Sequence, residues 1–259
     1  MFAPNLFQNQ VALVTGGRSG IGYAIAKLLL QHGATVVIAS RKAEPLARAA
    51  GELSAFGPVT HQPCDIRDTE QIAALAEHIR DRHGRLDILV NNAGGQFPML
   101  AEAMSPKGWN AVVNNNLNGT FYMTQAMAQA FFIPQQRGSI VNIIVDVFRG
   151  VPGMSHTGAA RAGVENLTKS LAVEWSKYHI RVNCVAPGII QSSGLDQYPP
   201  ELSAGLEKAI PMRRFGSVEE VAYAVAFLAG PLATFTTGET LYVDGGRRLS
   251  GDFMDFHAL

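Results

Sequence analysis

The sequence predicts an α/β protein: one doubly wound, Rossmann-type domain with a parallel sheet and helices on both faces. Three observations carry this. Short β-branched and apolar runs alternate with helix-length amphipathic segments from Val11 to Val243. The runs are apolar throughout rather than alternating in polarity, as strands buried on both faces must be. A glycine-rich turn follows the first run directly and opens the first helix. The chain has 259 residues, 47% of them hydrophobic, which suits one domain with a sizeable core. No linker or composition break divides it, so residues 1–259 read as a single domain.

The elements follow in order. Val11 to Thr15 reads as a buried strand. Ile21 to His32 has apolar residues at helical spacing and stops at Gly33. Thr35 to Ala39 is the second strand. Pro45 to Ala55 is a helix ending near Gly57, and Val59 to Cys64 is the third strand. Thr69 to His83 is a helix closed by Gly84, a residue suited to the left-handed position after a helix. Leu86 to Val90 is the fourth strand. Ser139 to Val145, a helix from Ala159 to Tyr178, the strand Arg181 to Ala186 and a late strand Thr240 to Val243 complete the pattern. The stretch 191–215 shows no strand and contains Pro199-Pro200, so it reads as a substrate lid with a short helix.

Composition narrows the function classes. Lysine plus arginine and aspartate plus glutamate both number 21, for zero formal net charge. No basic stripe is present, so no nucleic-acid partner is expected. Cys64 and Cys184 lack metal-ligand spacing, so no metal is expected and a reduced, cytoplasmic protein is the reading. Met1 to Gln10 has no basic stretch followed by an apolar run, which argues against a signal peptide. Every apolar stretch is broken well short of about 18 residues, so no membrane span is expected. The chain ends His257-Ala258-Leu259, not the Ser-Lys-Leu peroxisomal address.

The chemistry begins at the glycine turn, Thr15-Gly16-Gly17-Arg18-Ser19-Gly20-Ile21-Gly22. Glycines let a backbone turn tightly and approach a pyrophosphate. The helix that follows offers unpaired N–H groups to the phosphates. Its place between strand and helix makes the motif informative. Candidate cofactor residues here are Gly16, Arg18, Ser19, Gly20, Ile21 and Gly22. A dinucleotide fold expects an acidic residue roughly 20 positions on, to bind the ribose hydroxyls. This chain has Ser40, Arg41 and Lys42 there. A carboxylate would repel a 2′-phosphate, whereas Arg and Ser bind one through charge-assisted hydrogen bonds. NADPH is therefore the expected cofactor, with Arg18 within reach of the same phosphate.

With these motifs the chain resembles the short-chain dehydrogenase/reductase family over nearly its whole length. Besides the glycine turn, the matching segments are Cys64-Asp65-Ile66, Asn91-Asn92-Ala93-Gly94, Asn116-Leu117-Asn118-Gly119-Thr120, Pro187-Gly188-Ile189 and Val243-Asp244-Gly245-Gly246. The resemblance implies that Asp65 and Ile66 contact adenine and that Asn92, Ala93 and Gly94 line the cofactor. It further implies that Pro187, Gly188 and Ile189 turn beside the nicotinamide and that Asn116 is an active-site residue. A homotetramer is implied as well.

The departures bear on function. The family works on carbonyls with a Ser and a Tyr-x-x-x-Lys pair on one helix. At the Tyr position this chain has Thr157, and at the Lys position Arg161. The strand end that usually reads Ser-Ser holds Ile144-Val145, followed by Asp146. Tyr23-x-x-x-Lys27 fits the pattern but lies in the first helix, the wrong place. A threonine hydroxyl is too weak an acid to protonate an alkoxide at neutral pH, and an arginine does not readily pass a proton. The site therefore reads as rebuilt for a reaction with less need of a strong acid. Reduction of an α,β-unsaturated thioester is one: hydride adds at Cβ, and charge gathers on the thioester oxygen, which needs hydrogen-bond donors.

Gly94-Gly95-Gln96-Phe97, Ser139 to Val145 and His156 to Val164 also resemble the enoyl-CoA reductase branch that includes peroxisomal trans-2-enoyl-CoA reductase. The resemblance implies NADPH-dependent reduction of a 2-enoyl-CoA. A 2,4-dienoyl-CoA reductase, an NADP-dependent carbonyl reductase and a non-catalytic NADPH-binding protein remain as alternatives. The candidate catalytic residues are Asn116, Asp146, Thr157 and Arg161. Arg161 would hold the cofactor ribose and stabilise negative charge. Thr157 would donate to the thioester oxygen or cap the helix. Asp146 would be either a cleft acid or a solvated loop carboxylate, and His156 either a proton donor or a packed side chain.

Overall fold

The computed structural model describes residues 2–192 and 205–250. Its centre is a seven-stranded parallel sheet in the order β3-β2-β1-β4-β5-β6-β7. The strands are β1 (Val11–Thr15), β2 (Thr35–Ser40), β3 (Val59–Pro63), β4 (Ile88–Asn91), β5 (Gly138–Ile143), β6 (Ile180–Pro187) and β7 (Thr240–Val243). Register runs Val14 against Ile38 on one side and against Val90 on the other. The helices are α1 (Gly20–Gln31), α2 (Ala43–Leu53), α3 (Thr69–His83), α4 (Pro106–Val113), α5 (Gly119–Met127), a single turn α6 (Ile133–Gln135), α7 (Ser155–Glu174) and α8 (Val218–Ala229).

Alternation along the strands builds two cores. Ala12, Val14, Val36, Ile38 and Val90 face α1, α2 and α8, while Leu13, Val37, Leu89, Ile140 and Val182 face α3, α5 and part of α7. Each of these valine, leucine and isoleucine side chains, fully buried, contributes about 1.5–3 kcal/mol. This is why the strands carry apolar residues on both faces. Helix ends are fixed chemically. The Asp68 carboxylate accepts from the N–H groups of Glu70 and Gln71 at the start of α3, and Gly84 closes it at φ +68°. Ser217 and Glu220 form a reciprocal capping box on α8.

Between α4 and α5 the chain makes a π-turn, Asn114–Asn118, and a second one, Ala128–Phe132, precedes α6. Pattern reading misses this long helical arm, continuous from Pro106 to Gln135, and α8. It also sets the start of α7 four residues late, at Ala159 rather than Ser155, and carries that helix past Glu174 into what is a separate 3₁₀ turn, Ser176–Tyr178. Of the expected lid, residues 193–204 lie outside the described residues. Its described part holds a short 3₁₀ helix, Leu206–Ala209, and a bridge between Ile190 and Gly216 joins the base of the segment.

Strand order reverses between β1 and β4, one starting β2 outward and the other β5. In open parallel sheets ligands bind at the carboxyl ends of strands beside such a point. A buried polar chain stiffens the sheet there. Asn91 Nδ2 donates to Thr124 Oγ1 at 2.7 Å and to Asn142 Oδ1 at 2.8 Å, and Asn142 Nδ2 donates to Thr168 Oγ1 at 2.8 Å. These bonds tie β4 and β5 to α5 and α7 at fixed positions.

Candidate active site

A cleft of about 880 Å³ opens at the carboxyl ends of β1, β2, β4, β5 and β6, a size usual for a cofactor with a small substrate. Thr15 pins its floor. The Thr15 hydroxyl accepts from the N–H groups of Asn92 and Ala93, both at 3.0 Å, and donates to the Val90 carbonyl. Asn92 Nδ2 returns a bond to the Thr15 carbonyl at 3.0 Å. The glycine turn and the Asn92-Ala93-Gly94 segment are thereby locked together. Gly22 lies below this junction rather than on the cleft: a Cβ there would stand 2.5 Å from both Asn92 Nδ2 and the Gly16 carbonyl oxygen. Ser19 precedes α1 in extended conformation with no side-chain cap. The first-turn N–H groups, which have no intrahelical acceptor, thus remain for a ligand.

Of the expected cofactor residues, Gly16, Arg18, Ser19, Gly20, Ile21, Ser40, Arg41, Asp65, Ile66, Asn92, Ala93, Gly94, Pro187, Gly188 and Ile189 all line the cleft. Lys42 does not. It is exposed and occupies the position before α2. Arg18 and Arg41 have no carboxylate within ion-pair distance among the described residues. The Asp65 carboxyl is held below its usual range, chiefly by its hydrogen bonds from Arg67.

The catalytic half is organised by α7. Thr157, at the tyrosine position, is wholly buried and does not line the cleft. Its N–H donates to His156 Nδ1 at 2.8 Å. An accepting Nδ1 leaves the proton of neutral His156 on Nε2. His156 is also fully buried, with its ring edge-on to Phe97 at 4.7 Å. Tyr23 and Lys27 lie on α1 away from the cleft lining, and burial with the nearby Glu52 carboxylate pushes the Tyr23 hydroxyl up.

Arg161, at the lysine position, does reach the cleft. Its Nη1 donates to the Ile143 carbonyl at 2.9 Å, and no carboxylate lies within ion-pair distance among the described residues. Its Nε has no hydrogen-bond partner among the described residues. Burial pushes the guanidinium down to about 10, still charged at neutral pH. Gly94 makes room for it. A Cβ on Gly94 would stand 2.1 Å from Arg161 Nη2 and 2.6 Å from Asn116 Oδ1.

Asn116 is buried in the first π-turn, off the cleft surface. Its Oδ1 accepts from Gly95 N–H at 3.1 Å and its Nδ2 donates to the Gly95 carbonyl at 2.7 Å. The Asn116 carbonyl is occupied by the Thr120 hydroxyl at 2.9 Å. Asn116 thus positions the Gly94-Gly95 wall. Asp146 lines the cleft, with Oδ1 accepting from Phe148 N–H and Oδ2 3.7 Å from Arg247. Sequence reasoning misses the cleft residue Asn115 and has Arg247 only as one of several basic residues, not as a site. A direct neighbour of a recognised motif residue was the only signal for Asn115. Arg247 had none beyond residue type. The former serine positions, Ile144 and Val145, form an apolar wall.

Among the described residues no helix is long and apolar enough to cross a membrane, and no group of three or more His, Cys, Asp or Glu is placed to hold a metal.

Comparison with known proteins places the chain in a family of the same fold. The family model described as Enoyl-(Acyl carrier protein) reductase matches residues 16–248. A 3-oxoacyl-[acyl-carrier-protein] reductase of Thermotoga maritima is 38% identical over 242 residues, covering 92% of this chain and 98% of that protein. A peroxisomal 2,4-dienoyl-CoA reductase of Danio rerio is 38% identical over 261 residues, covering 96% and 85%. Among solved structures, a citronellol catabolism dehydrogenase of Pseudomonas aeruginosa superposes with a TM-score of 0.87 at 41% identity, covering 96% of this chain and 98% of that one. The chain therefore belongs to the short-chain dehydrogenase/reductase family of nicotinamide-dependent oxidoreductases.

Proposed function

We propose that this protein reduces an α,β-unsaturated acyl thioester with NADPH, with a 2-enoyl-CoA as substrate. The observation that carries the reading is Arg161: a buried cation lining the cleft with no counter-ion among the described residues, on the helix where the usual tyrosine is absent. Such a group stabilises negative charge that develops in the transition state. It cannot serve as the strong acid that reduction of a ketone requires. The relatives that act on acyl thioesters by name support the substrate class. Those named 2,4-dienoyl-CoA reductases favour a dienoyl-CoA as the second reading.

The cofactor end fits NADPH through the uncapped start of α1 for the pyrophosphate and through Ser40, Arg41 and Arg18 for a 2′-phosphate. When bound, that cofactor supplies a hydride. Arg161 then faces the thioester oxygen as charge gathers there, and the Ile144 and Val145 wall excludes water. The proton for Cα comes from water or from a cleft acid, for which Asp146, on the cleft lining after β5, is the candidate. A homotetramer in the cytoplasm is the assembly we propose. Exposed Tyr223, Phe227, Leu232 and Phe235, on and just after α8, are apolar surface for a second copy to cover.

The test is NADPH oxidation against a chain-length series of trans-2-enoyl-CoA thioesters. A 2,4-dienoyl-CoA, a 3-oxoacyl thioester and NADH run in parallel. We expect saturable turnover of the unsaturated thioesters with NADPH. Preference for the 3-oxoacyl compound would overturn the proposal.

A further inference from the structure

The π-turn Asn114–Asn118 carries four asparagines in five residues. Asparagine is a poor helix former because its carboxamide competes for nearby backbone groups. Three of the four side chains have partners in the fold. Asn118 Nδ2 donates to Asn114 Oδ1 at 2.8 Å. Asn116 spends both ends of its carboxamide on Gly95. Asn115 differs. It is half-buried and lines the cleft, and its carboxamide has no hydrogen-bond partner among the described residues.

Its position follows from the helix winding. Successive residues on an α-helix point about 100° apart. The wider π-turn brings the neighbours Asn115 and Asn116 onto the same glycine wall, and such turns recur at functional sites. A Cβ on Gly95 would lie 3.3 Å from Asn115 Nδ2, just as one on Gly94 would meet Asn116 Oδ1 and Arg161 Nη2. Asn116 thus props the wall, while Asn115 and Arg161 line the cleft and each keeps an N–H donor without a partner among the described residues. Polar groups left without partners in an otherwise satisfied site are the ones available to a ligand.

We propose that Asn115 is a substrate-binding residue whose Nδ2–H donates to the carbonyl oxygen of the acyl thioester, alongside the Arg161 guanidinium. This rests on the reductase reading above. A neutral donor beside a charged one gives the oxygen two hydrogen bonds of fixed direction, which a lone cation does not. Directed donors of this kind gain strength as negative charge develops.

The test compares the unmodified enzyme, Asn115→Ala and Asn115→Asp. Steady-state kinetics are measured with a trans-2-enoyl-CoA, NADPH affinity by fluorescence titration, and Tm by thermal melt. We expect kcat/KM for the thioester to fall about 10- to 100-fold in Asn115→Ala. NADPH affinity and Tm should stay unchanged. Asn115→Asp keeps the volume but replaces the donor with a carboxylate, and should fall further. Unchanged kcat/KM in Asn115→Ala, with the unmodified enzyme active, would overturn the role of Asn115 alone. A parallel loss of NADPH affinity would also overturn it, by assigning the carboxamide to the cofactor. No turnover of any unsaturated thioester by the unmodified enzyme would overturn the reductase reading and this proposal together.

Discussion

The two halves of the cleft are built on different principles. On the β1, β2 and β4 side, backbone does the work: a glycine turn, an uncapped helix start and a threonine that locks two strand ends. On the β5 and α7 side, the proposed chemistry rests on individual side chains, and there this chain departs from the family pattern. Backbone geometry depends on a few glycines at fixed spacing and tolerates much change elsewhere. A proton donor or an anion-stabilising group is a single atom in a single place. A family can therefore keep the first half nearly constant while the second is rebuilt, as with Thr157 and Arg161.

The largest effect that would break this comparison comes from Arg161→Ala. On the proposed mechanism, turnover of an enoyl thioester falls by about 10²–10³, measured as NADPH oxidation at saturating substrate. Arg161→Lys should recover part of the loss, since a charge remains but one planar fork of donors does not. Unchanged turnover in Arg161→Ala would place the chemistry elsewhere in the cleft.

A smaller, selective effect is expected on the other side. Arg41→Ala should weaken NADPH binding about 10- to 100-fold by removing a charged hydrogen bond to the 2′-phosphate. NADH binding should not change, which paired titrations would show. An equal loss for both cofactors would assign Arg41 to the fold rather than to the phosphate.

The smallest effect lies outside the cleft. Burial holds His78 and His83 below the usual histidine range, with Arg82 adding to the shift at both. A lowered folded-state pKa means that the unfolded chain binds protons more readily. The stability this contributes is fully present above about pH 6.5 and is lost as pH falls through the lower, folded value. Tm should drop by about 1–3 °C across that window, and His78→Gln should flatten the slope. A slope unaltered by that substitution would move the effect to other groups.

Much of the fold was legible because periodicity is local. The strands from Val11 to Val90 and the helix Thr69–His83 announce themselves by β-branched runs, by helical spacing and by Gly84. The α4 to α5 arm does not, because Asn114 to Gly119 is a run of poor helix formers that only tertiary contacts wind into a π-turn. The helix α8 is apolar nearly all round, so it shows no face, although Ser217 and Glu220 at capping-box spacing marked its start. In the site, Thr157 illustrates the limit. Its alignment with the family tyrosine is visible in sequence, but its withdrawal beneath the surface is not.

By itself the sequence determined the parallel sheet, the glycine turn and its neighbours, and the presence of Thr157 and Arg161 where the family pattern has tyrosine and lysine. These follow from residue type at short spacing. Only the tertiary structure decided which groups share the cleft. It buried Thr157 and His156, turned Asn116 into a support for Gly95, and brought Arg161 and Asn115 to the surface of the cleft. Those outcomes depend on contacts between residues far apart in the chain, such as Gly94 with Arg161, whose meeting no local pattern encodes.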